Sequence, residues 1–351
     1  MRIVFAGTPA AALPSLEALV DSAHEVVAVV TRPDAASGRG RSLAPSPVGA
    51  RAVELGIETL KPQRPRDPDF VARLSEIAPD CCPVVAYGAL IPQRVLDVPA
   101  RGWVNLHFSL LPAWRGAAPV QHAVLAGDRV TGATTFRLVP ELDAGPTYAH
   151  ITTPIGPRDT SGDLLDRLAV AGARLLVDTL DGIAEGSLVP QPQPSHGVTL
   201  APKLTVADAE LDWGLAADLL DRRIRGCAPA PGAWTTFRGE RLKIAAATPT
   251  DAVLPAGLLE VGKRTVRVGT ATTAVELQQL QAQGKKPMPA ADWARGLTFT
   301  PGETLGAAGT TPGASGATPG ATGATLGAAA ATPGAAAATP GPAESGRVTG
   351  A

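Results

Sequence analysis

The chain has 351 residues, of which 45% are hydrophobic and 18% charged, enough for two domains that each bury a core. The formal net charge of −1 gives no global attraction to nucleic acid, so any such site must be local. The N-terminal apolar run ends at Gly7, too short for a signal peptide or a membrane span, and the three cysteines have no disulfide or zinc spacing. We therefore expect a cytoplasmic protein with no membrane segment and no metal.

Short apolar runs alternate with helical patterns along the first half of the chain. Strands are predicted at 2–7, 25–32, 57–62, 81–88 and 103–112, and helices at 14–22, 48–56 and 67–78. Two strands within 130–155 and a long helix over 160–186 follow. This alternation predicts an α/β fold, a doubly wound, Rossmann-like parallel sheet with its site at the carboxyl ends of the strands.

The second half of the chain differs in composition and predicts a smaller unit. After the α/β domain over 1–189, the Pro/Gln-rich segment 190–208 is predicted to be an extended linker. A helix at 215–226 and several short strands then predict a small OB-like β-barrel over 209–305. The Ala/Gly/Thr/Pro-rich segment 306–351 has almost no large apolar residues and is predicted to be a disordered tail.

The loop after the first strand argues against a nucleotide site. It reads AGTPAAALP, with one glycine where a dinucleotide-binding turn needs three, and Pro9 removes an amide donor. No phosphate-binding loop of the form GxxxxGK[ST] occurs, and no His/Cys/Asp cluster has metal-ligand spacing. Oxidoreductase, NTPase and metalloenzyme functions are therefore weakly supported.

Polar residues interrupt the apolar strand VNLHFS at alternate positions. Side chains alternate across a strand, so Asn105, His107 and Ser109 share one face, opposite Val104 and Leu106. A single histidine there is more often a hydrogen-bonded core residue, but three polar residues at a period of two favour a site.

An acidic residue that could act with this strand lies in PELDAGP, where Asp143 follows a predicted strand. Asp-Ala-Gly alone is an ordinary turn; with the histidine it suggests a carboxylate that orients an imidazole. Because no GxSxG serine and no reactive cysteine accompany it, we expect acyl-type transfer without a covalent enzyme intermediate.

The stretch SLLPAWRGAAPVQHAVLAGDRVTGATTF at 109–136, followed by ELDAGP, resembles the formyltransferases that use 10-formyltetrahydrofolate. FAGTPAAALPSLEAL, TLAPKLT and LQAQGKKPMPAADWARG extend the resemblance over roughly residues 1–305, in the order found in methionyl-tRNA formyltransferases. The resemblance implies formyl transfer from 10-formyltetrahydrofolate to the α-amine of methionine on charged initiator tRNA, by a monomer that needs no metal.

The resemblance also assigns residues within 1–189. Asn105 and His107 would donate hydrogen bonds to the oxyanion, and Asp143 would hold the imidazole and favour its protonated form. The residues that match the folate-binding segments are Ser109, Leu110, Leu111, Pro112, Tyr87 and Gly88. Family members usually have Asp where Pro146 follows LDAG, which puts the folate contacts of this loop in question. The sequence leaves open whether the Leu111–Pro112 bond is cis.

Two basic regions are implied to bind the tRNA. In the loop over 31–47, which carries a local charge of +2, the matching residues are Arg39, Gly40 and Arg41. Between Arg222 and Arg295, twelve Lys/Arg against five Asp/Glu give a net charge of +7, typical of a phosphate-binding surface. The predicted contacts there are Arg222, Arg223, Arg225, Lys263, Arg264, Lys285 and Lys286. Each, taken alone, is more often a solvated surface charge.

Two other functions fit parts of the sequence. A folate-dependent formyltransferase acting on a small amine, such as an amino sugar or glycinamide ribonucleotide, would share residues 103–146 but would not need the two basic regions. An RNA-binding module with an inactive α/β domain would not need Asn105, His107 and Asp143 together.

Overall fold

The computed structural model describes residues 1–37 and 42–306. In the first half of the chain its strands are β1 (Arg2–Gly7), β2 (Glu25–Val30), β3 (Ala35–Ser37), β4 (Ser42–Ala44), β5 (Glu58–Leu60), β6 (Cys82–Val85), β7 (Trp103–His107), β8 (Val130–Arg137) and β9 (Thr147–Pro154). The helices are α1 (Leu13–Val20), α2 (Pro47–Glu54), α3 (Pro68–Ile77), α4 (Gln93–Leu96), α5 (Pro119–Ala126) and α6 (Ser161–Glu185). Strand–helix alternation is thus confirmed for this part of the chain.

Seven of these strands form one sheet with the order β5-β2-β1-β6-β7-β8-β9. The first five strands in this order, β5, β2, β1, β6 and β7, pair in parallel, as predicted for a Rossmann-like sheet. The prediction of a parallel sheet is wrong at one edge, because β8 pairs antiparallel with β7 and β9 pairs antiparallel with β8. A loop between neighbouring antiparallel strands needs no crossover helix, so the segment 138–146 is free to turn back toward the site.

Helices cover both faces of the sheet, and each face buries its own apolar cluster. Phe5, Val104 and Leu106 pack with residues of α1 and α6 on one face, whereas Val4 and Trp103 pack with residues of α3 on the other. This two-sided burial is why the strands are nearly continuous apolar runs.

The long helix α6 has a well-defined beginning and end. Thr160 and Asp163 form a reciprocal capping box at its start, and Gly186 ends it in the left-handed conformation with φ of 74°. Its buried residues, among them Leu164, Leu168 and Leu176, lie against the sheet on the side opposite the candidate site.

The second sheet is antiparallel and lies in the C-terminal part of the described chain. Its strands are β10 (Trp234–Phe237), β11 (Glu240–Pro249), β12 (Leu259–Val261), β13 (Val266–Val268), β14 (Val275–Ala282) and β15 (Met288–Pro289), with helices α7 (Ala217–Gly226) and α8 (Ala290–Arg295). The strand order is β10-β11-β14-β13-β12, and β15 also pairs with β14. Register shifts in the long β11–β14 pair increase its twist, and the sheet fits a small barrel around its own apolar core.

The residues predicted to be an extended linker are held against the first sheet. Gln191 exchanges two backbone hydrogen bonds with Thr147, and Leu200 forms a parallel bridge with Arg115. No helix among residues 1–37 and 42–306 has the length and apolar character needed to cross a membrane. Residues 307–351, most of the predicted tail, lie outside the described residues.

Candidate active site

A cavity of about 780 Å³ lies at the ends of β6 and β7. Its wall comes from residues within 84–91, 105–108, 116–121 and 138–143, and the second part of the chain adds Lys203, Leu204, Ala230 and Pro231. This volume lies within the range of roughly 300–1,000 Å³ that is usual for small-molecule sites. The site is therefore where an α/β sheet is expected to build it, with a portion of its wall contributed by residues far along the chain.

Asn105 reaches this wall from the middle of β7. Val104 and Leu106, its neighbours in the strand, are buried in the apolar core, as the alternation of side chains requires. The Asn105 side chain is half-buried and forms no hydrogen bond with any side chain or backbone group of the described residues. Its amide is therefore available to a ligand.

His107, at the end of β7, is buried beside the cavity, and its ring orientation is set by the following turn. Its Nε2 lies 2.8 Å from the Trp114 carbonyl oxygen. Because a carbonyl oxygen can only accept, Nε2 carries the hydrogen. Nδ1 faces Asp143 Oδ2 at 3.8 Å, close enough for charge attraction but too far for a direct hydrogen bond.

Burial and the Asp143 carboxylate act in opposite directions on the protonation of His107. Burial lowers the pKa of His107, and this outweighs the opposing effects of the Asp143 carboxylate and of the hydrogen bond to Trp114. The Asp143 carboxylate, 3.8 Å away, raises the pKa of His107, which is the direction that the resemblance implies, but burial lowers that pKa by more, so the neutral ring is favoured.

Asp143 lies at the turn of the loop between β8 and β9. Its φ is +47°, a left-handed conformation that aspartate tolerates better than most residues. Its Oδ2 accepts a hydrogen bond of 2.7 Å from the Gly116 backbone N–H. The carboxylate is thereby fixed between the turn after β7 and the His107 ring. Pro146, the departure from the family pattern, accepts a hydrogen bond from the Arg137 backbone N–H.

The turn at 114–116 joins these residues and depends on a glycine. Gly116 has φ of +130°, and a Cβ there would lie 2.5 Å from the Ala201 carbonyl oxygen. Only glycine permits this close approach of two backbones. The Trp114 indole N–H donates to Asp128, which fixes the same turn from its other side.

The residues matched to folate binding divide into two groups. Tyr87 and Gly88 lie in the cavity wall. Tyr87 is almost fully buried, burial raises its pKa so that the phenol stays protonated, and its hydroxyl has no hydrogen-bond partner among the described residues.

The segment from Ser109 to Pro112 follows β7 but does not line the cavity. Ser109 is fully buried and donates to the Ala113 carbonyl, and the Leu111 N–H donates to Thr134 Oγ1. Leu110, Leu111 and Pro112 are half-buried, and the Leu111–Pro112 bond is cis. These contacts give the segment a role in shaping the end of β7.

Three of the arginines predicted to contact tRNA are engaged with protein groups. Arg222 donates to the Ala126 carbonyl and pairs with Asp218, and Arg223 donates to the Glu210 carbonyl. Arg225 is largely buried, with its guanidinium held by Asp221 and the Asp159 carbonyl. Each of these guanidinium groups therefore already has partners within the chain, and their contact with tRNA stays a prediction.

The other basic residues are placed differently. Lys263, Arg264, Lys285 and Lys286 are exposed at the turns after β12 and β14, and none forms an ion pair with another described residue. Arg39, Gly40 and Arg41 lie outside the described residues. These four residues are therefore available to an anionic partner, as are Arg241 and Lys243 on β11, which are also exposed and without an ion pair among the described residues.

Sequence reasoning missed part of the site. Lys203, Ala230 and Pro231 line the cavity although they are far from β7 in sequence. The one signal given above was that Lys203 lies in TLAPKLT, a segment that resembles the family without a residue role attached.

Comparison with known proteins places this geometry in a family. The formyl transferase family model matches residues 1–180, and the model for the formyl transferase C-terminal domain matches residues 203–298. The methionyl-tRNA formyltransferase of Streptomyces coelicolor is 65% identical over 309 residues, covering 87% of this chain and 100% of that protein. The methionyl-tRNA formyltransferase of Thermobifida fusca is 65% identical over 308 residues, covering 87% and 99%.

Solved structures share the fold at lower identity. An N-formyltransferase of Helicobacter canadensis, in complex with folinic acid and dTDP-3-aminofucose, superposes with a TM-score of 0.61 at 16% identity, covering 79% of this chain and 98% of that one. HypX of Aquifex aeolicus, in complex with tetrahydrofolic acid, gives 0.59 at 20% identity, covering 84% and 46%. With both family models matched in order along the sequence, the chain belongs to the formyl transferase family.

Proposed function

We propose that this protein transfers the formyl group of 10-formyltetrahydrofolate to the α-amino group of methionine on charged initiator tRNA. The observation that carries the proposal is the convergence of Asn105, His107 and Asp143 on one cavity. The tRNA substrate is supported by relatives that are 65% identical and named methionyl-tRNA formyltransferase.

Asn105 has the properties of an oxyanion donor. When an amine adds to a formyl carbon, the carbonyl oxygen gains negative charge, and a fixed N–H donor lowers the energy of that state. The side-chain amide of Asn105 lies in the cavity wall with no partner among the described residues, so binding the oxygen breaks no hydrogen bond within the protein. We assign Asn105 this role.

His107 and Asp143 suit the movement of a proton. The attacking amine must lose one proton while the departing folate nitrogen gains one. A neutral ring with its hydrogen on Nε2 leaves Nδ1 as a proton acceptor, and the imidazolium formed is stabilised by the Asp143 carboxylate 3.8 Å away. We therefore assign His107 the role of proton acceptor, in place of the oxyanion donor expected from the resemblance, and Asp143 that of its counter-charge.

Formyltetrahydrofolate would supply the formyl group, and the cavity wall suits such a ligand. Ile91, Leu96 and Val139 give apolar surface for a flat ring, and Tyr87 and Gly88 lie in the same wall. We propose that Tyr87 and Gly88 contact the folate directly and that Ser109, Leu110, Leu111 and Pro112 support it from the end of β7.

The tRNA would reach the cavity by binding basic residues of the protein. Lys203 lies in the wall itself, and Lys263, Arg264, Lys285 and Lys286 are exposed on the second sheet. We propose these residues as phosphate contacts, together with Arg39, Gly40 and Arg41, which follow β3 in the sequence. In this proposal residues 1–189 are the catalytic domain, 190–208 a connecting segment and 209–305 an OB-like barrel, in a cytoplasmic monomer.

One assay tests the proposal directly. Purified protein is given 10-formyltetrahydrofolate with charged initiator methionyl-tRNA, with free methionine, with glycinamide ribonucleotide or with an amino sugar. Formylation of the charged tRNA alone is expected. Formylation of a small amine at an equal or higher kcat/KM, with no reaction on the tRNA, would refute the tRNA substrate and support the small-amine alternative.

A further inference from the structure

The segment between the two sheets contacts both loops that carry the candidate catalytic groups. Gln191 pairs through its backbone with Thr147, at the end of the Asp143 loop, at 2.7 and 2.8 Å. Further along, the Arg115 N–H donates to the Thr199 carbonyl at 2.9 Å, and the Ala201 N–H donates to the Arg115 carbonyl at 2.7 Å. Backbone hydrogen bonds therefore fix the segment both to the loop of Asp143 and to the turn of Gly116.

One side chain of this segment, Gln193, bridges the two loops. Its Nε2 donates to the carbonyl oxygens of Asp143 and Gly145, at 2.8 and 2.7 Å. Its Oε1 accepts from Nε and Nη2 of Arg115, at 3.1 and 2.7 Å. Since carbonyls only accept and guanidinium only donates, the orientation of the amide is determined, and both of its N–H groups are used.

These bonds close a ring of contacts around the carboxylate. Arg115 is covalently followed by Gly116, whose N–H binds Asp143 Oδ2 at 2.7 Å. The carbonyl of Asp143 is bound by Gln193, which returns to Arg115. Asp143 is thus held at both its backbone and its carboxylate while its φ is +47°. The left-handed conformation still costs free energy for a residue other than glycine, and these bonds help to offset that cost.

We propose that Gln193 is a positioning residue for Asp143: it fixes the Asp143 loop against the Arg115–Gly116 turn so that the carboxylate faces His107. Its kinetic consequence rests on the function proposed above. The residue does not line the cavity, so it acts through Asp143 and not on the substrate.

The chain offers a matched pair of variants. Gln193→Glu preserves size and the acceptor for Arg115, but removes both donors and faces two carbonyl oxygens with a carboxylate. Gln191→Glu makes the same change two residues away, on an exposed side chain whose only described contact is with the Val189 carbonyl. A displacement of about 1 Å in a catalytic group can cost about 100-fold in rate, so we expect kcat to fall by about 10- to 100-fold in Gln193→Glu, with KM for the folate unchanged. Gln191→Glu should match wild type.

A double-mutant cycle with Asp143→Asn separates positioning from a general structural effect. If Gln193 acts through Asp143, the double variant is no slower than Asp143→Asn alone. Multiplied losses would overturn the proposal, as would a Gln193→Glu enzyme as fast as wild type. If wild type and Gln191→Glu both fail to formylate methionyl-tRNA, the proposed function is wrong. The positioning role of Gln193 is then decided by a measurement that needs no activity.

That measurement is amide hydrogen exchange by mass spectrometry. In Gln193→Glu, exchange should accelerate in peptides covering 113–118 and 141–146 and stay at wild-type rates in α6. Unchanged exchange in both peptides overturns the proposal, as does acceleration throughout the chain. Gln193→Met, which is neutral and of similar length, is measured in the same way if Gln193→Glu does not fold.

Discussion

Asn105→Ala separates chemistry from stability better than other substitutions in the cavity wall. The Asn105 side chain is half-buried on β7 and has no hydrogen-bond partner among the described residues, so its removal breaks no hydrogen bond within the described fold. We expect the free energy of unfolding to fall by no more than about 1 kcal/mol, the usual range for such a site.

The loss in rate should be much larger. Removing one oxyanion donor raises the barrier by about 2.7–4 kcal/mol, which corresponds to about 10²–10³ in kcat. Because the amide strengthens its contact only as negative charge develops, KM for the folate should change little. Asn105→Asp, with nearly the same shape, should be at least as slow, since a carboxylate repels the developing oxyanion.

The assay is single-turnover formylation of charged initiator tRNA, with the melting temperature of each variant measured in parallel. Asn105 is the only asparagine in the sequence, so ¹⁵N-asparagine labelling gives a single side-chain NH₂ signal for following the group directly. Turnover of Asn105→Ala within about threefold of wild type would refute the oxyanion assignment. A large drop in melting temperature would show that the side chain has a structural role instead.

Three further results are expected. Burial lowers the pKa of His107, so as pH falls the unfolded chain takes up a proton before the folded one. The stability that the neutral ring confers is therefore present above about pH 6.5 and is lost as pH falls below it. His107→Asn should show a shallower fall in melting temperature between pH 7 and 5 than wild type, and the same fall in both proteins would contradict this. Gly116→Ala should destabilise by at least about 2 kcal/mol, because it combines a positive φ with a Cβ that would lie 2.5 Å from the Ala201 carbonyl oxygen. Gly197→Ala, with φ of +77° and nothing within 4 Å of its Cβ, is the control that isolates the backbone cost, and a similar loss in both would contradict the steric argument. Replacing Lys285 and Lys286 by Glu should weaken tRNA binding and reduce the salt dependence of log K by about 1 to 2, with KM for the folate unchanged; an unaltered salt slope would remove these residues from the interface.

Much of the first domain could be predicted because its signals are local. Strands β1, β2, β5, β6 and β7 and helices α1 to α3 follow from runs of apolar residues and from helical spacing, and the shared face of Asn105 and His107 follows from the period of two. The short strands β3 and β4, in a segment predicted to be a loop, and the short helix α4 were missed. The antiparallel edge formed by β8 and β9 was missed, since the strand pattern within 130–155 does not encode direction.

The protonation of His107 and the partners of the arginines could not be predicted in the same way. The pKa of His107 depends on how completely the fold removes water from the ring, which neighbours in sequence do not reveal. The sequence does not show the partners of three arginines: the Ala126 carbonyl for Arg222, the Glu210 carbonyl for Arg223 and Asp221 for Arg225.

The sequence by itself determined the class of fold and the candidate chemical groups, because alternation of side chains and the motifs around Asn105, His107 and Asp143 lie within short stretches. Only the tertiary structure decided how those groups are held. Gln193, 50 residues beyond Asp143, bonds to its carbonyl, and Ala201 comes close enough to Gly116 to exclude any side chain there. Such contacts join segments far apart in sequence, so only the folded chain shows them.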